Sequence, residues 1–167
     1  MHAYGPPNAF DTARTPAQWY CLLAGVSLLL AGVLGFFADA AFDTGSDVQG
    51  GSLLGFEVNG FHNLVHLASG LVLLLAARRR GLARAVAIGF GLVYGAVAVI
   101  GIIDGNDVLG FIPVNGADHA LHTALALLGI LSGLISRADT RRHSDTAIDR
   151  ETPPRLGHDR ASERAGG

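Results

Sequence analysis

Four side chains in this sequence have the chemistry of metal ligands and recur at one spacing. His62 and His66 are four residues apart, as are Asp118 and His122. Residues four apart in an α-helix share one face, so each pair presents two donor groups side by side. Three imidazoles and one carboxylate suit a tetrahedral divalent metal ion. The spacing therefore predicts a metal site, provided that the two faces meet.

The same residues support other interpretations. His66 and His122 alone have the chemistry of the two axial ligands of a haem. Ionisable groups inside a membrane also serve as proton relays, as in a small proton-coupled carrier. In the plainest interpretation, the side chains hydrogen-bond across helices and fix helix register without binding anything. His119 is an additional candidate ligand, and the sequence leaves these alternatives open.

The two pairs lie in two copies of one sequence pattern. Residues 54–60 (LGFEVNG) match residues 109–116 (LGFIPVNG), with one extra residue in the second copy. At constant offsets, the equivalent positions are His66 and His122, Gly25 and Gly91, and Gly35 and Gly101. Since two helices per copy return the chain to its starting side, we expect a parallel repeat with both pairs at one depth.

Four apolar stretches must position these residues. Half of the 167 residues are hydrophobic and 16% are charged. About 20 helical residues cross a hydrocarbon core, and lipid offers no hydrogen bonds to open backbone, so membrane spans are helices. The predicted helices cover residues 17–38, 60–78, 82–103 and 116–136. The predicted fold class is therefore all-α, a bundle of four transmembrane helices made of two tandem helical hairpins.

Two asparagines precede the second and fourth helices. Asn59 and Asn115 are favoured N-cap residues, and Asp118 then occupies the third helical position. A carboxylate there also suits the positive end of the helix dipole. Capping thus explains Asp118 without a ligand, but it explains His62 less well.

The arginines predict the orientation in the membrane. They cluster between the second and third helices and flank the bundle, at Arg14, Arg78, Arg79, Arg80, Arg84, Arg137, Arg141 and Arg142. The other two connections contain acidic residues and no arginine. The positive-inside rule then predicts a multi-pass protein of the cell membrane with both termini in the cytoplasm. The polar residues 1–13 and 137–167 are predicted to be disordered cytoplasmic segments.

Several function classes are excluded or disfavoured. A single cysteine, Cys21, excludes a disulfide framework and a cysteine zinc site. The net charge of −2 offers no basic surface to nucleic acid. The chain has no phosphate-binding loop, nucleophile elbow or zinc-protease motif. We therefore expect a non-enzymatic accessory or scaffold protein whose partners are the lipid bilayer and either another membrane protein or a second copy.

Three segments resemble a known family. They are residues 14–20 (RTPAQWY), residues 54–66 with the HNLVH stretch at 62–66, and Asn115 with Asp118 and His122. Together they resemble the domain-of-unknown-function family numbered 4383 over residues 14–136. The resemblance implies a small four-helix bacterial membrane protein and no established activity. His119 departs from it, since an asparagine equivalent to Asn63 would be expected there.

Overall fold

A computed structural model describes residues 13–105 and 107–136. This part of the chain is mostly helical and contains four α-helices. They are α1 (Pro16–Ala38), α2 (Gly60–Ala76), α3 (Arg80–Asp104) and α4 (Gly116–Ile135). The segments predicted to be disordered lie outside the described residues, apart from Ala13.

Five helix ends differ from the sequence-based boundaries, three of them by one residue and two by two residues. α3 begins at Arg80 and not at residue 82, because arginine is a good helix former and helices need not start at the first apolar residue. α2 ends at Ala76 and not at residue 78. The carbonyl oxygen of Ala77 instead accepts a hydrogen bond from Gln18 Nε2, at 2.9 Å.

The start of α1 is fixed by a capping box. Thr15 Oγ1 accepts a hydrogen bond from the Gln18 backbone N–H at 3.3 Å, and Gln18 Oε1 accepts one from the Thr15 N–H at 3.0 Å. Pro16, at the first helical position, has no N–H that would need a partner.

An asparagine side chain caps the N-terminus of α2, and another caps that of α4. Asn59 Oδ1 accepts from the His62 N–H at 2.9 Å, and Asn115 Oδ1 accepts from the Asp118 N–H at 3.2 Å. Each cap satisfies a helix N–H that the helix itself leaves unpaired. The caps therefore place His62 and Asp118 at corresponding positions of their helices.

Two short antiparallel β-hairpins precede α2 and α4, and the all-α prediction did not include them. Strand β1 (Gly51–Leu53) pairs with β2 (Phe56–Val58), and β3 (Asp107–Val108) pairs with β4 (Ile112–Pro113). Their strands are only two or three residues long, which is too short for alternation of apolar and polar residues to be recognised.

The two β-hairpins turn at the same dipeptide. Leu54 and Gly55 have φ values of 54° and 91°, and Leu109 and Gly110 have values of 56° and 73°. Two successive positive φ values favour a tight hairpin turn, but leucine is an unusual residue for the first position. This is why the Leu-Gly dipeptide did not predict a turn.

The helices pack as two pairs, α1 with α2 and α3 with α4. A Cβ on Gly25 would lie 3.1 Å from the Gly70 carbonyl oxygen, and one on Gly91 would lie 2.7 Å from that of Ala126. The absence of side chains at Gly25 and Gly91 thus permits close backbone approach. Gly91 follows Gly25 by 66 residues and Ala126 follows Gly70 by 56, the same two offsets as in the sequence match.

Each helix pair also has a hydrogen bond at the end away from the β-hairpins, and the two bonds are related by the same sequence offsets. Gln18 Nε2 of α1 donates to the carbonyl oxygen of Ala77, directly after α2, at 2.9 Å. Arg84 Nε donates to the Gly133 carbonyl oxygen of α4 at 3.2 Å. Each of these bonds ties the first helix of a pair to the end of the second.

The outward-facing surface of the helices is apolar. The exposed leucines include Leu23 on α1, Leu71 on α2, Leu92 on α3 and Leu127 on α4. Helices α1, α3 and α4 are long and apolar enough to cross a membrane, whereas the apolar α2 has 17 residues. These lengths and surfaces are those of a membrane protein.

The close contact at Gly91 predicts a loss of stability on adding a methyl group. Gly91→Ala should lower the free energy of unfolding by about 1–3 kcal/mol, because the new Cβ meets backbone of α4 that cannot rotate away. Gly89→Ala on the same helix is the matched control, since a Cβ there meets nothing within 4 Å. Equal unfolding midpoints for both variants in mixed detergent micelles would contradict this packing.

Candidate functional site

Three of the predicted ligand residues converge between α2 and α4. One ring nitrogen from each of His62, His66 and His122 lies within 4.8 Å of those of the other two. The three side chains are 2%, 7% and 3% exposed. We call His62, His66 and His122 the histidine triad. Its members come from α2 and α4, so these two helices turn their histidine faces toward each other.

The orientation of His62 is fixed by the strand before its helix. Its Nδ1 lies 2.9 Å from the carbonyl oxygen of Glu57, which can only accept a hydrogen bond. Nδ1 therefore carries a proton. The backbone of Pro113 also lies close to the ring, but no partner meets Nε2 at hydrogen-bond geometry among the described residues. A backbone carbonyl that orients the other ring nitrogen is typical of metal-binding histidines.

The other two members of the triad also have unpaired nitrogens. Nδ1 of His66 and Nδ1 of His122 are buried without a partner in the described part of the chain. Leaving one buried polar group unpaired costs about 1–3 kcal/mol. Three such atoms in one cluster indicate a place where a bound group would supply the missing interactions.

Aromatic rings close the triad on the side of α3. The ring of Tyr94 packs edge-to-face against His122 with a centroid distance of 5.3 Å, and Phe90 stacks on Tyr94 at 4.0 Å. The Tyr94 hydroxyl lies near Ser69 but meets no partner at hydrogen-bond geometry. These rings pack against the His122 imidazole from the side of α3.

Asp118 lies beside the triad and is held by backbone N–H groups. Its Oδ2 accepts hydrogen bonds from Asn115 at 3.0 Å and from Glu57 at 2.9 Å. The first completes the capping box of α4, and the second joins α4 to β2. Asp118 is therefore a structural link between the two helix pairs, and its predicted role as a direct ligand stays a prediction.

His119 is not a member of the triad and contacts the end of α3. Its Nε2 lies 3.4 Å from the Gly105 carbonyl oxygen at the end of α3. Asn63, its counterpart in the first copy, donates from Nδ2 to the Asp39 carbonyl oxygen at the end of α1, at 2.8 Å. The histidine thus takes the place of the expected asparagine in the same contact. This candidate ligand therefore lies outside the group formed by His62, His66 and His122.

The two capping asparagines have a second role that the sequence did not indicate. Asn59 Nδ2 donates to the carbonyl oxygen of Phe111 at 2.8 Å, and Asn115 Nδ2 donates to that of Gly55 at 2.9 Å. Each capping asparagine thereby bonds to the β-hairpin that precedes the other helix. The two bonds fix the starts of α2 and α4 relative to each other, and hence the positions of the triad histidines.

A cavity of about 590 Å³ lies between α1 and α4 and reaches the triad. Its walls are mainly leucine and alanine side chains, and residues of β1 and β2 also line it. The ionisable lining groups among the described residues are Tyr20, His66, Asp118 and His122. The sequence could not indicate this cavity, because it arises from the relative rotation of two helices distant in the chain.

Comparison with known proteins identifies the family. The sequence model of a domain of unknown function, DUF4383, matches residues 18–135, which include the triad and both capping asparagines. The chain belongs to the DUF4383 family. No curated protein and no solved structure matches it. Membership of DUF4383 confirms the resemblance found in the sequence and assigns no activity.

The position of Asp118 in this DUF4383 protein predicts a structural effect that is separate from ligand binding. Asp118→Ala should lower the free energy of unfolding by about 1–3 kcal/mol, because two backbone N–H groups lose their acceptor. Asp118→Asn keeps an acceptor oxygen and should restore part of the loss. If the unfolding midpoints of Asp118→Ala and wild type coincide, the link to β2 is not stabilising.

Proposed function

We propose that this protein is a non-enzymatic accessory membrane protein that binds a divalent transition-metal ion at His62, His66 and His122. The observation that carries the proposal is the set of three buried imidazoles, each with an unpaired nitrogen, whose donor atoms lie within 4.8 Å of one another. Imidazole suits Zn²⁺, Cu²⁺, Fe²⁺ and Ni²⁺. Three histidines also leave one coordination position open.

A metal ion fits this site better than a haem does. A haem bound by His66 and His122 would need its macrocycle between the two rings. The ring of His62 lies 4.4 Å from that of His66 and 5.8 Å from that of His122, centroid to centroid. His62 therefore occupies space that the macrocycle would need, whereas it adds a third ligand for an ion.

The proposal includes four membrane spans, with α2 as the shortest. Leu71, Val72 and Leu75 of α2 are each about half exposed, as expected of side chains that face lipid. α2 also packs along α1, and only residues 77–79 connect it to α3. A helix placed in this way runs between the same two ends of the bundle as its longer neighbours.

We further propose that the two helix pairs are tandem repeats. The support is the recurrence of contacts at equivalent positions: Gly25 with Gly70 and Gly91 with Ala126, Gln18 with Ala77 and Arg84 with Gly133, and Asn63 with Asp39 and His119 with Gly105. Sequence similarity between apolar helices is a weak criterion. Shared side-chain-to-backbone hydrogen bonds at matched positions are a stronger one.

The proposed orientation puts the arginine-rich end of the bundle in the cytoplasm. Arg78, Arg79 and Arg84 lie at the α2–α3 end, and Asp39 and Asp107 lie at the opposite end. The positive-inside rule then directs the β-hairpins outward. The triad, about one turn from the start of α2, would lie in the outer half of the membrane.

The accessory role rests on the shape of the bundle. Its cavity is lined mainly by apolar side chains, which a path for protons or ions would not be. A second copy or another membrane protein would pack against the exposed apolar faces of the helices. A role as a small proton-coupled carrier has no comparable support.

The topology is tested with single cysteines in a Cys21→Ser background. Thr44→Cys lies in the α1–α2 connection and Arg78→Cys in the α2–α3 connection, and both native side chains are exposed. A membrane-impermeant maleimide should label intact cells at position 44 and label position 78 only after permeabilisation. Labelling of both positions in intact cells would show that α2 does not span the membrane.

The metal site is tested with full-length protein purified without a polyhistidine tag. After removal of metal by a chelator, Zn²⁺ should bind at about one ion per chain. His66→Ala and His122→Ala should each weaken Zn²⁺ binding by about tenfold or more, since replacing groups that merely orient metal ligands already costs roughly 10–100-fold. Metal content by elemental analysis and affinity by titration measure this.

The matched control for the metal site is His119→Ala, which removes a neighbouring histidine outside the triad. It should keep the zinc stoichiometry and affinity of the wild type. Circular dichroism of each variant checks that the helices remain folded. Zinc binding by the His66→Ala/His122→Ala double variant at wild-type affinity would refute the site, and a stable copurifying protein without metal would support a scaffold role instead.

A further inference from the structure

We infer that the tip of the first β-hairpin, at Leu54 and Gly55, is immersed in the lipid of the membrane leaflet at that end of the bundle. The equivalent tip of the second β-hairpin, at Leu109 and Gly110, instead faces water. The two tips differ in the side chains around them and in the loop that packs against one of them. This surface lies outside the proposed metal site, and its partner is the hydrocarbon of the bilayer.

The two tips share one backbone conformation and the same residue types. Leu54 and Leu109 have φ values of 54° and 56°, and a glycine with positive φ follows each. This left-handed conformation is uncommon for leucine, and glycine, asparagine or aspartate adopts it more readily. The two leucine side chains are nevertheless 89% and 67% exposed. Whether such a leucine is stabilising depends on the medium around it, which differs between the two tips.

The surroundings of Leu54 are apolar. It lines the cavity between α1 and α4 together with leucines of both helices. Leu30 and Leu34 of α1 and Leu128 of α4 are each about half exposed. They belong to the outward-facing apolar surface of the helices, which is the surface that a bilayer covers. The tip of the first β-hairpin therefore continues the lipid-facing surface of the bundle.

The surroundings of Leu109 are acidic. It lies beside a separate cavity of about 660 Å³ that is also lined by Asp47, Asp104 and Asp107. Asp47 and Asp104 are exposed. Carboxylates are costly in hydrocarbon, so this side of the bundle is stable in water. The same turn residue thus lies among leucines in the first β-hairpin and among aspartates in the second.

A polar loop packs against the second tip. A Cβ on Gly110 would lie 3.2 Å from the Gly45 carbonyl oxygen, and the Gly45 N–H donates to the Gly110 carbonyl oxygen at 2.9 Å. A Cβ on Gly55 would meet nothing within 4 Å. The segment around Gly45 therefore covers part of the second tip, while the space beside Gly55 is open to the surrounding medium.

The backbone of the first tip is suited to a medium without water. Lipid offers no hydrogen bonds, so a carbonyl group there needs a partner within the protein. The Gly55 carbonyl oxygen accepts a hydrogen bond from Asn115 Nδ2 at 2.9 Å. Strands β1 and β2 pair with each other along all three of their residues. The first tip can therefore enter hydrocarbon without leaving this carbonyl group unpaired.

The test measures the depth of nitroxide spin labels on single cysteines in the Cys21→Ser background, with the full-length protein in lipid vesicles. Leu54→Cys and Leu109→Cys form the matched pair, because both positions are exposed and share one backbone conformation. Molecular oxygen concentrates in hydrocarbon and a nickel chelate stays in water, so the ratio of their effects on spin relaxation reports depth. Leu71→Cys on the exposed face of α2 and Thr44→Cys in the α1–α2 connection calibrate lipid and water.

The ratio of oxygen to nickel accessibility at position 54 should be severalfold higher than at position 109 and should approach the ratio at position 71. The ratio at position 109 should resemble that at position 44. Equal ratios at positions 54 and 109 would overturn the inference, as would a ratio at position 54 close to that at position 44. Circular dichroism checks that each labelled variant keeps its helices.

A second pair of variants makes the same comparison without a label. The chain has one tryptophan, Trp19, so Leu54→Trp and Leu109→Trp in a Trp19→Phe background each contain a single indole ring. Lipid brominated on its acyl chains should quench the fluorescence at position 54 more strongly than at position 109. Quenching that is equal at both positions, or stronger at position 109, would contradict the inference. Zinc takes no part in either measurement, so the result is independent of the proposed metal site.

Discussion

The constraint on which the rest of this structure depends is that polar groups in a membrane must find partners within the protein. At the β-hairpin end of the bundle, the side chains of Asn59 and Asn115 provide such partners in two ways. Their side-chain oxygens cap their own helices, and their amide nitrogens bond to the hairpin of the other half. Because one side chain serves both tasks, the start of each helix cannot shift without breaking a contact across the bundle. The triad histidines are placed by this arrangement.

The backbone of Glu57 shows how two similar halves form a site that is not symmetric. Its carbonyl oxygen lies 2.9 Å from His62 Nδ1, and its N–H donates to Asp118 Oδ2 at 2.9 Å. His62 and Asp118 occupy corresponding positions of α2 and α4, yet one acts here as donor and the other as acceptor. Together they pair both backbone groups of Glu57, which two carboxylates could not do, since a carboxylate cannot donate to the carbonyl oxygen.

Part of this arrangement could be predicted from the sequence. Four apolar stretches predicted four helices, and the spacing of His62 and His66 placed them on one face, because helical periodicity is a local property. Periodicity does not say where a face points, so neither the convergence of His122 with the pair on α2 nor the contact of His119 with Gly105 could be predicted. The β-hairpins were missed because Leu54 and Leu109 adopt a backbone conformation that leucine rarely takes. The cavity depends on the packing of α1 against α4 and left no signal in the sequence.

The location of the triad also bears on how the two helix pairs stay together. Lipid removes the hydrophobic driving force between helices, so that packing and hydrogen bonds must hold α1–α2 to α3–α4. The bonds that do so include Tyr20 Oη to the Leu125 carbonyl oxygen at 2.8 Å and the Ala17 N–H to Ser136 Oγ at 2.8 Å, besides those of the capping asparagines. An ion bound by His62 and His66 from one pair and by His122 from the other would link the same two helix pairs. Since binding to the assembled state alone stabilises it, such an ion would serve as a further link between the pairs as well as a ligand site.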